Sequence, residues 1–326
     1  MKVLYIYSGF EGIYSYLEEW IIDSFKKKNL EIVTVPSSIS INDFIEIIKN
    51  DQITFVLTLI GINVNKLLFQ YLEKTNIPFC IWLTEDPFYL DKSLEIINSK
   101  SIFFTIDLGS YEFYKSKGYK NIFYLPLGTN PNIFKKMMID ETYMSDVLFL
   151  GYPYPSRVNL ARIVLENTNY KLTLIGKGWR KQIPKNLRRS KQLLIIDKWI
   201  PPILAASFYN GAKIVINQHR EMNFVQNKNS LQVESESINN RTFDISACGA
   251  FQLIDYKKDL YSQYQEDEIV HYQNPSDFIN KINKFIYEDD YREFIAYKAQ
   301  SKVLLNHTWD ARVSSIIDTV NNNTFF

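Results

Sequence analysis

A chain of 326 residues is long for one hydrophobic core and suits two domains of ordinary size. Lys and Arg (37) balance Asp and Glu (36) to a net charge of +1, which leaves no global field to recruit nucleic acid or an anionic membrane, so any anion is handled locally. Two cysteines, Cys80 and Cys248, form neither a disulfide framework nor a metal-ligand spacing, and the apolar N-terminal run of about five residues is too short for a signal or a membrane span; a reduced, cytoplasmic protein is expected.

Strand and helix alternate from the start. Residues 2–7 read as a continuous apolar strand, 8–12 as a turn with Gly9 and Gly12, and 13–27 as an amphipathic helix. Strands at 31–35, 53–59, 77–83, 102–107 and 122–125 follow, with helices at 41–49, 64–74 and up to 117. Short apolar runs between helices imply a parallel sheet covered on both faces, the Rossmann-like pattern of α/β proteins. The first βα turn lacks GxGxxG, which disfavours nicotinamide or flavin binding.

Residues 127–146 break this rhythm and are read as a linker between a domain at 1–126 and one at 147–326, whose last helix is a candidate to pack back on the first domain. The alternation then restarts: strands at 147–150, 171–175, 193–196, 213–217, 250–254 and 268–272, with helices at 157–166, 202–210, 240–248 and from about 275 onward. Residues 222–232 carry no period and read as an irregular or mobile loop, and the tail at 321–326 as frayed. The architecture expected is two Rossmann-like domains facing across a cleft, with ligands outside the carboxyl ends of the strands.

Several strand ends carry chemistry. Gly151 precedes a loop with Arg157, and Gly176-Lys177-Gly178 follows the next strand, so backbone can approach a ligand while Arg157 and Lys177 supply positive charge. Lys198-Trp199-Ile200-Pro201-Pro202 offers a wall for a flat base, or equally a core Trp beside a helix start. At the head of the 240–248 helix, Asn240 and Asp244 share one face and Arg241 lies within reach, a combination suited to a phosphate plus a diol. In the first half Glu11, Glu85 and Asp86 follow strands and are candidates for a general base or an acceptor-hydroxyl ligand. His219 is a further candidate near donor phosphate or acceptor, and Asp289-Asp290 falls within a helix, away from any strand-end metal motif.

The spacing Glu236-x7-Asp244, on a helix closing in A-C-G, resembles the E-x7-E pattern of retaining glycosyltransferases of the GT-B fold. More narrowly, W-I-P-P, Y-N-G-A-K-I-V-I-N, N-N-R-T-F-D-I-S-A-C-G-A-F-Q-L and H-T-W-D-A-R resemble CgeB-like, spore-maturation glycosyltransferases, joined in the first half by W-L-T-E-D-P and Y-L-P-L-G-T-N-P. The resemblance implies transfer of a sugar, as a hexosyltransferase, from a nucleotide-diphosphate donor, in the first place a UDP-sugar, to a protein or glycan acceptor. It puts Asp244 (Asp where Glu is usual) at the ribose, Asn240 and Arg241 at the diphosphate and Glu236 near the donor sugar. Arg157, Lys177 and Arg241 are the cations available to meet the departing diphosphate, so neither a metal nor any cofactor beyond the donor is expected. Retention is favoured, with inversion by Glu11, Glu85 or Asp86 open. A non-catalytic nucleotide-sugar-binding or spore-coat protein and a nucleotide-sugar epimerase are the alternatives.

Overall fold

The computed structural model describes residues 1–323, and the chain divides into two compact units. The first unit comprises Met1–Gly128, Val225–Ser237 and the stretch from Trp309 onward, and the second comprises Thr129–Phe224 and Ile238–Thr308.

In chain order the first unit runs β1 (Lys2–Ile6), α1 (Ile13–Lys27), β2 (Glu31–Val35), α2 (Ile41–Asn50), β3 (Phe55–Leu59), α3 (Lys66–Leu72), β4 (Phe79–Leu83), α4 (Leu90–Ile96), β5 (Ile102–Thr105), α5 (Leu108–Ser116) and β6 (Ile122–Tyr124). The second continues with β7 (Ser145–Leu150), α6 (Pro155–Asn167), β8 (Leu172–Ile175), α7 (Trp179–Gln182), β9 (Leu193–Ile196), α8 (Pro202–Gly211), β10 (Ala212–Asn217), α9 (Asn240–Ala247), β11 (Gln252–Asp255), α10 (Leu260–Gln263), β12 (Val270–Tyr272), α11 (Pro275–Phe285) and α12 (Asp289–Asn306). The last helix, α13 (Trp309–Asn322), returns to the first unit.

The first sheet has the order β2-β1-β3-β4-β5-β6 with every pairing parallel. All residues of β3 and β4 are buried, the pattern of strands covered on both faces. Leu4, Ile6, Val56, Ile81 and Phe103 from neighbouring strands form its core with Phe44, Leu68 and Tyr114 from the helices. Against this unit α13 sets Trp309, buried, with ring centroids 6.2 Å from Trp20 and 5.9 Å from Trp82. Its Arg312 Nε donates to the Leu127 carbonyl at 3.2 Å. Asn321 and Asn322 are helical, whereas 324–326 of the tail expected to fray lie outside the described residues.

The second sheet has the order β12-β11-β10-β7-β8-β9, again wholly parallel. Its core joins Val147, Phe149, Leu174, Ile214 and Leu253 to Leu160, Val164, Phe278 and Ile282 of α6 and α11. Of the linker expected at 127–146, residues 127–128 cluster with the first unit and 129–146 with this one. Phe134 is buried there, and the Asn210 side chain accepts from the Met137 N–H and donates to the Lys135 carbonyl, both at 3.0 Å.

The stretch 225–237 has no helix or strand yet is held by named bonds within the first unit. Asp91 accepts from the Ser230 N–H and hydroxyl, and Asp107, which caps α5 by accepting from the Ser110 N–H, also accepts from the N–H groups of Glu236 and Ser237. Between them a Cβ on Gly109 would stand 2.1 Å from the Glu234 carbonyl oxygen, so only glycine fits. Among the described residues no helix is long and apolar enough to cross a membrane.

Candidate active site

In the second sheet the chain leaves β7 toward β8 on one side, while β10 lies on the other, which makes the carboxyl ends of β7 and β10 the topological switch point. Ligands of doubly wound sheets bind at such a crevice. Four segments meet there: Leu150-Gly151 after β7, Gly176 after β8, Gln218-His219 after β10, and the first turn of α9.

Two arginines converge on this point. Arg157, buried on the first turns of α6, donates from Nε (2.8 Å) and Nη2 (2.6 Å) to the Gln218 carbonyl and from Nη1 (2.9 Å) to the Tyr152 carbonyl. Arg241 donates from Nη1 to the Leu150 carbonyl and from Nη2 to the same Gln218 carbonyl at 3.3 Å. Neither forms an ion pair with a carboxylate among the described residues. Burial, and then the adjacent Arg241, hold the Arg157 guanidinium well below its ordinary pKa. Gly151 makes this convergence possible: at φ +131° it is left-handed, and a Cβ there would stand 2.7 Å from Arg157 Nη1 and 2.8 Å from Arg241 Nη1. Gly176 is equally constrained, since a Cβ would stand 2.2 Å from the Gly151 carbonyl oxygen, which accepts from Trp179 Nε1 at 2.9 Å.

The head of α9 is organised by polar side chains. Asn239 occupies the cap position but makes no side-chain capping bond to its own helix; its Nδ2 donates to Asn217 Oδ1 at 3.0 Å. Asn240 Nδ2 reaches Asp244 Oδ2 at a long 3.4 Å. Asp244 is buried, and its Oδ1 accepts from Thr129 Oγ1 at 2.7 Å. Burial pushes the Asp244 carboxyl up to about 8, against the opposing pull of the Thr129 bond and of Arg241.

Of the other expected residues, Lys177 is exposed on the turn between Gly176 and Gly178, and Trp199 is half-exposed in the loop after β9. Trp199 is therefore not the core tryptophan of the second reading, and Ile200 is buried beside it. His219 is buried after β10. Its two ring nitrogens are engaged with Asp255 and with the Asn239 N–H.

Glu236 belongs to the first unit, whereas Arg241 and Asp244 belong to the second, so the E-x7-D pair is divided between units. At the carboxyl ends of β1 and β4, Glu11 is exposed on the turn before α1 and Glu85 accepts from the Tyr14 hydroxyl at 2.5 Å. Asp86 requires a correction. It is 1% exposed and takes hydrogen bonds from Ser93 Oγ (2.6 Å), Thr105 Oγ1 (2.9 Å) and the Tyr114 hydroxyl (3.0 Å). Burial raises its carboxyl to about 7 in spite of these donors. Closed off from solvent and ringed by hydroxyls, it ties β4, α4, β5 and α5 together and does not present a base to an acceptor.

Sequence reasoning passed over Gln218, Asp255, Thr129 and Glu18. Asp255 accepts from Gln218 Nε2 (3.0 Å) and the His219 N–H (2.9 Å) at the end of β11, and Glu18, buried on α1, accepts from the Ser8 N–H at 2.6 Å. A cavity of about 540 Å³ lies at the other, amino-terminal pole of the second sheet, lined by Ser145, Lys213 and Phe251 among others and by none of the arginines just described. The functional case therefore rests on the charge arrangement at the carboxyl pole.

Residues 157–318 match a family model described as glycosyl transferase-like. The chain is 37% identical over 312 residues to the spore protein CgeB of Bacillus subtilis, covering 95% of this chain and 96% of that one. Among solved structures it is similar to sucrose-phosphate synthase from Thermosynechococcus elongatus, with a TM-score of 0.70, 10% identity and 98% of each chain covered. It is also similar to Anabaena HepE in complex with UDP and glucose, with a TM-score of 0.68, 12% identity, and 99% of this chain and 100% of that one covered.

Proposed function

The chain belongs to the CgeB family of glycosyl transferase-like proteins and has the paired parallel sheets of the GT-B glycosyltransferases; from that premise we propose that it transfers a hexose from a nucleotide-diphosphate sugar, in the first place a UDP-sugar, to a protein or glycan acceptor. The observation that carries the reading is the pair Arg157 and Arg241, brought to one carbonyl at the switch point with no carboxylate in ion-pair contact with either among the described residues. Two guanidiniums bonded to backbone carbonyls, with the Asp255 carboxylate acting on Arg157 from a distance, leave a local positive potential, and an anion is the group that relieves it.

In this reading the diphosphate lies against Gly151, Arg241 and the N–H groups of Asn240 and Arg241 that open α9, with exposed Lys177 closing on it from the next strand end. As the bond from sugar to phosphate breaks, negative charge grows on the departing diphosphate. Cations and amides already fixed in place stabilise that charge without reorganising, which is why the reaction is proposed to need no metal. Asp244 keeps its assignment to the ribose: Oδ1 is taken by Thr129, while Oδ2 has only the long contact from Asn240 and retains capacity for a ribose hydroxyl. Trp199 is assigned to the base and Glu236 to the donor sugar, and retention of configuration follows the E-x7-D resemblance. Glu11 and Glu85 are the acceptor-side carboxylates left once Asp86 is removed.

HepE, whose structure contains UDP and glucose, makes UDP-glucose the first donor to test. Calorimetry with UDP, followed by an assay for free or transferred glucose in EDTA, tests the proposal. Saturable UDP binding with metal-independent release or transfer supports it. Binding without any turnover of a panel of UDP-sugars would instead make the chain a donor-binding protein, and isomerisation of the donor without acceptor would make it an epimerase.

A further inference from the structure

The first turn of α9 holds Arg241, yet the Asn239 side chain at its cap does not bond to the helix. What fixes that turn comes from two other strand ends. His219, buried directly after β10, accepts the Asn239 N–H on Nε2 at 3.1 Å. An acceptor at Nε2 requires the proton on Nδ1, and Nδ1 faces Asp255 Oδ1, so the tautomer is set by both neighbours. Asp255 in turn takes the His219 N–H and Gln218 Nε2, while the Tyr272 hydroxyl donates to Gln218 Oε1. The Gln218 carbonyl is the one that both arginines share. One connected set of bonds thus runs from β11 through His219 to the Asn239 N–H just ahead of α9 and through Gln218 to the guanidinium pair.

We infer that Asp255 and His219 are positioning residues: they hold the first turn of α9, and with it Arg241, in the geometry that receives the donor diphosphate. The inference rests on the proposed donor site. The charged groups facing His219 are Asp255 on β11, Lys257 just beyond that strand and Arg241 on α9. Burial, reinforced by Lys257 and Arg241 and opposed by Asp255, lowers the His219 pKa and keeps the ring neutral at physiological pH. Burial on its own would raise Asp255, but the His219 contact and Lys257 hold its carboxyl below the usual range, so it stays ionised as the acceptor of three donors. Protonating His219 would set Nε2–H against the Asn239 N–H and add a third cation beside the arginines.

The test is UDP binding by calorimetry for the wild type, His219→Ala, His219→Gln and Arg241→Ala, each shown folded by circular dichroism. His219→Ala is expected to bind UDP about tenfold more weakly at pH 7.5, from the loss of a buried acceptor. His219→Gln is expected to recover most of that loss, because its Oε1 can take the place of Nε2 and accept the Asn239 N–H. Equal UDP affinity in wild type and His219→Ala, or a His219→Gln protein that binds no better than His219→Ala, overturns the positioning role. If Arg241→Ala also leaves UDP binding unchanged, the donor site itself is at fault; if only the His219 variants do, the relay alone fails.

Discussion

Replacing Arg241 by Ala separates a ligand-binding arginine from a structural one. Arg241 is half-buried and bonded to the Leu150 and Gln218 carbonyls, and the Gln218 carbonyl keeps two bonds from Arg157 when Arg241 is removed. Only the Leu150 carbonyl loses a partner, and the repulsion between the two guanidiniums disappears with the side chain. The two effects oppose each other, so stability is expected to change by less than about 1 kcal/mol. Binding should behave differently. A charge-assisted bond to a diphosphate contributes ~1.5–3 kcal/mol, which raises the Kd for UDP about 12- to 150-fold. Isothermal calorimetry with UDP, beside urea unfolding of both proteins, reads the two quantities separately. A folded Arg241→Ala protein that binds UDP as the wild type does would refute the site, and a large loss of stability with unchanged affinity would make Arg241 a structural residue.

Other predictions follow from particular contacts. Gly151→Ala should lose UDP affinity by calorimetry and about 1 kcal/mol or more of stability by urea unfolding, since φ is +131° and the new Cβ meets both guanidiniums. Asp86 has a folded-state pKa of about 7 against an ordinary value of 3.8, so the folded state holds a proton that the unfolded chain releases, and stability falls as pH rises from about 4 to 7. Asp86→Asn removes that term: urea unfolding from pH 4 to 8 should show a wild-type decline, relative to the variant, of a few kcal/mol at most. Parallel curves would show that Asp86 is ionised across the range. Gly109→Ala should drive the 225–237 segment off α5, because its Cβ would overlap the Glu234 carbonyl; faster limited proteolysis within 225–237, with UDP affinity retained by the second unit, is the expected result.

Much of this was legible in the sequence because parallel strands announce themselves as short apolar runs, as in F-V-L-T-L and F-C-I-W-L. Short elements were not: α4 and α7 are too brief for a helical period to show. At the site, Gly151, Arg157, Gly176 and Arg241 could be named in advance because each follows a strand or opens a helix. Asp255 was missed through a shift of register, the strand being read at 250–254 where β11 is Gln252–Asp255. The strand-end position of Asp86 suggests a general base or an acceptor-hydroxyl ligand, but its partners Ser93, Thr105 and Tyr114 come from three other elements, and only folding shows that they converge. The role of His219 is likewise tertiary, since its two partners lie 20 and 36 residues away.

The arginine pair also bears on how the second unit responds to its ligand. Arg157 is buried beside another guanidinium, and burial first, then Arg241, lower its pKa in spite of the opposing pull of Asp255, so the arrangement costs free energy. Proteins hold such strain where it is relieved by the function. A bound diphosphate would offset the repulsion in the folded state alone, because in the unfolded chain the two arginines are separated and solvated. UDP at one hundred times its Kd should therefore stabilise the protein by about 2.7 kcal/mol through mass action. UMP, with one phosphate fewer to place between the guanidiniums and the first turn of α9, should need a higher concentration for the same shift in Tm. Equal shifts from UMP and UDP at equal concentration would mean that the base and ribose carry the binding and that the arginines face no second phosphate.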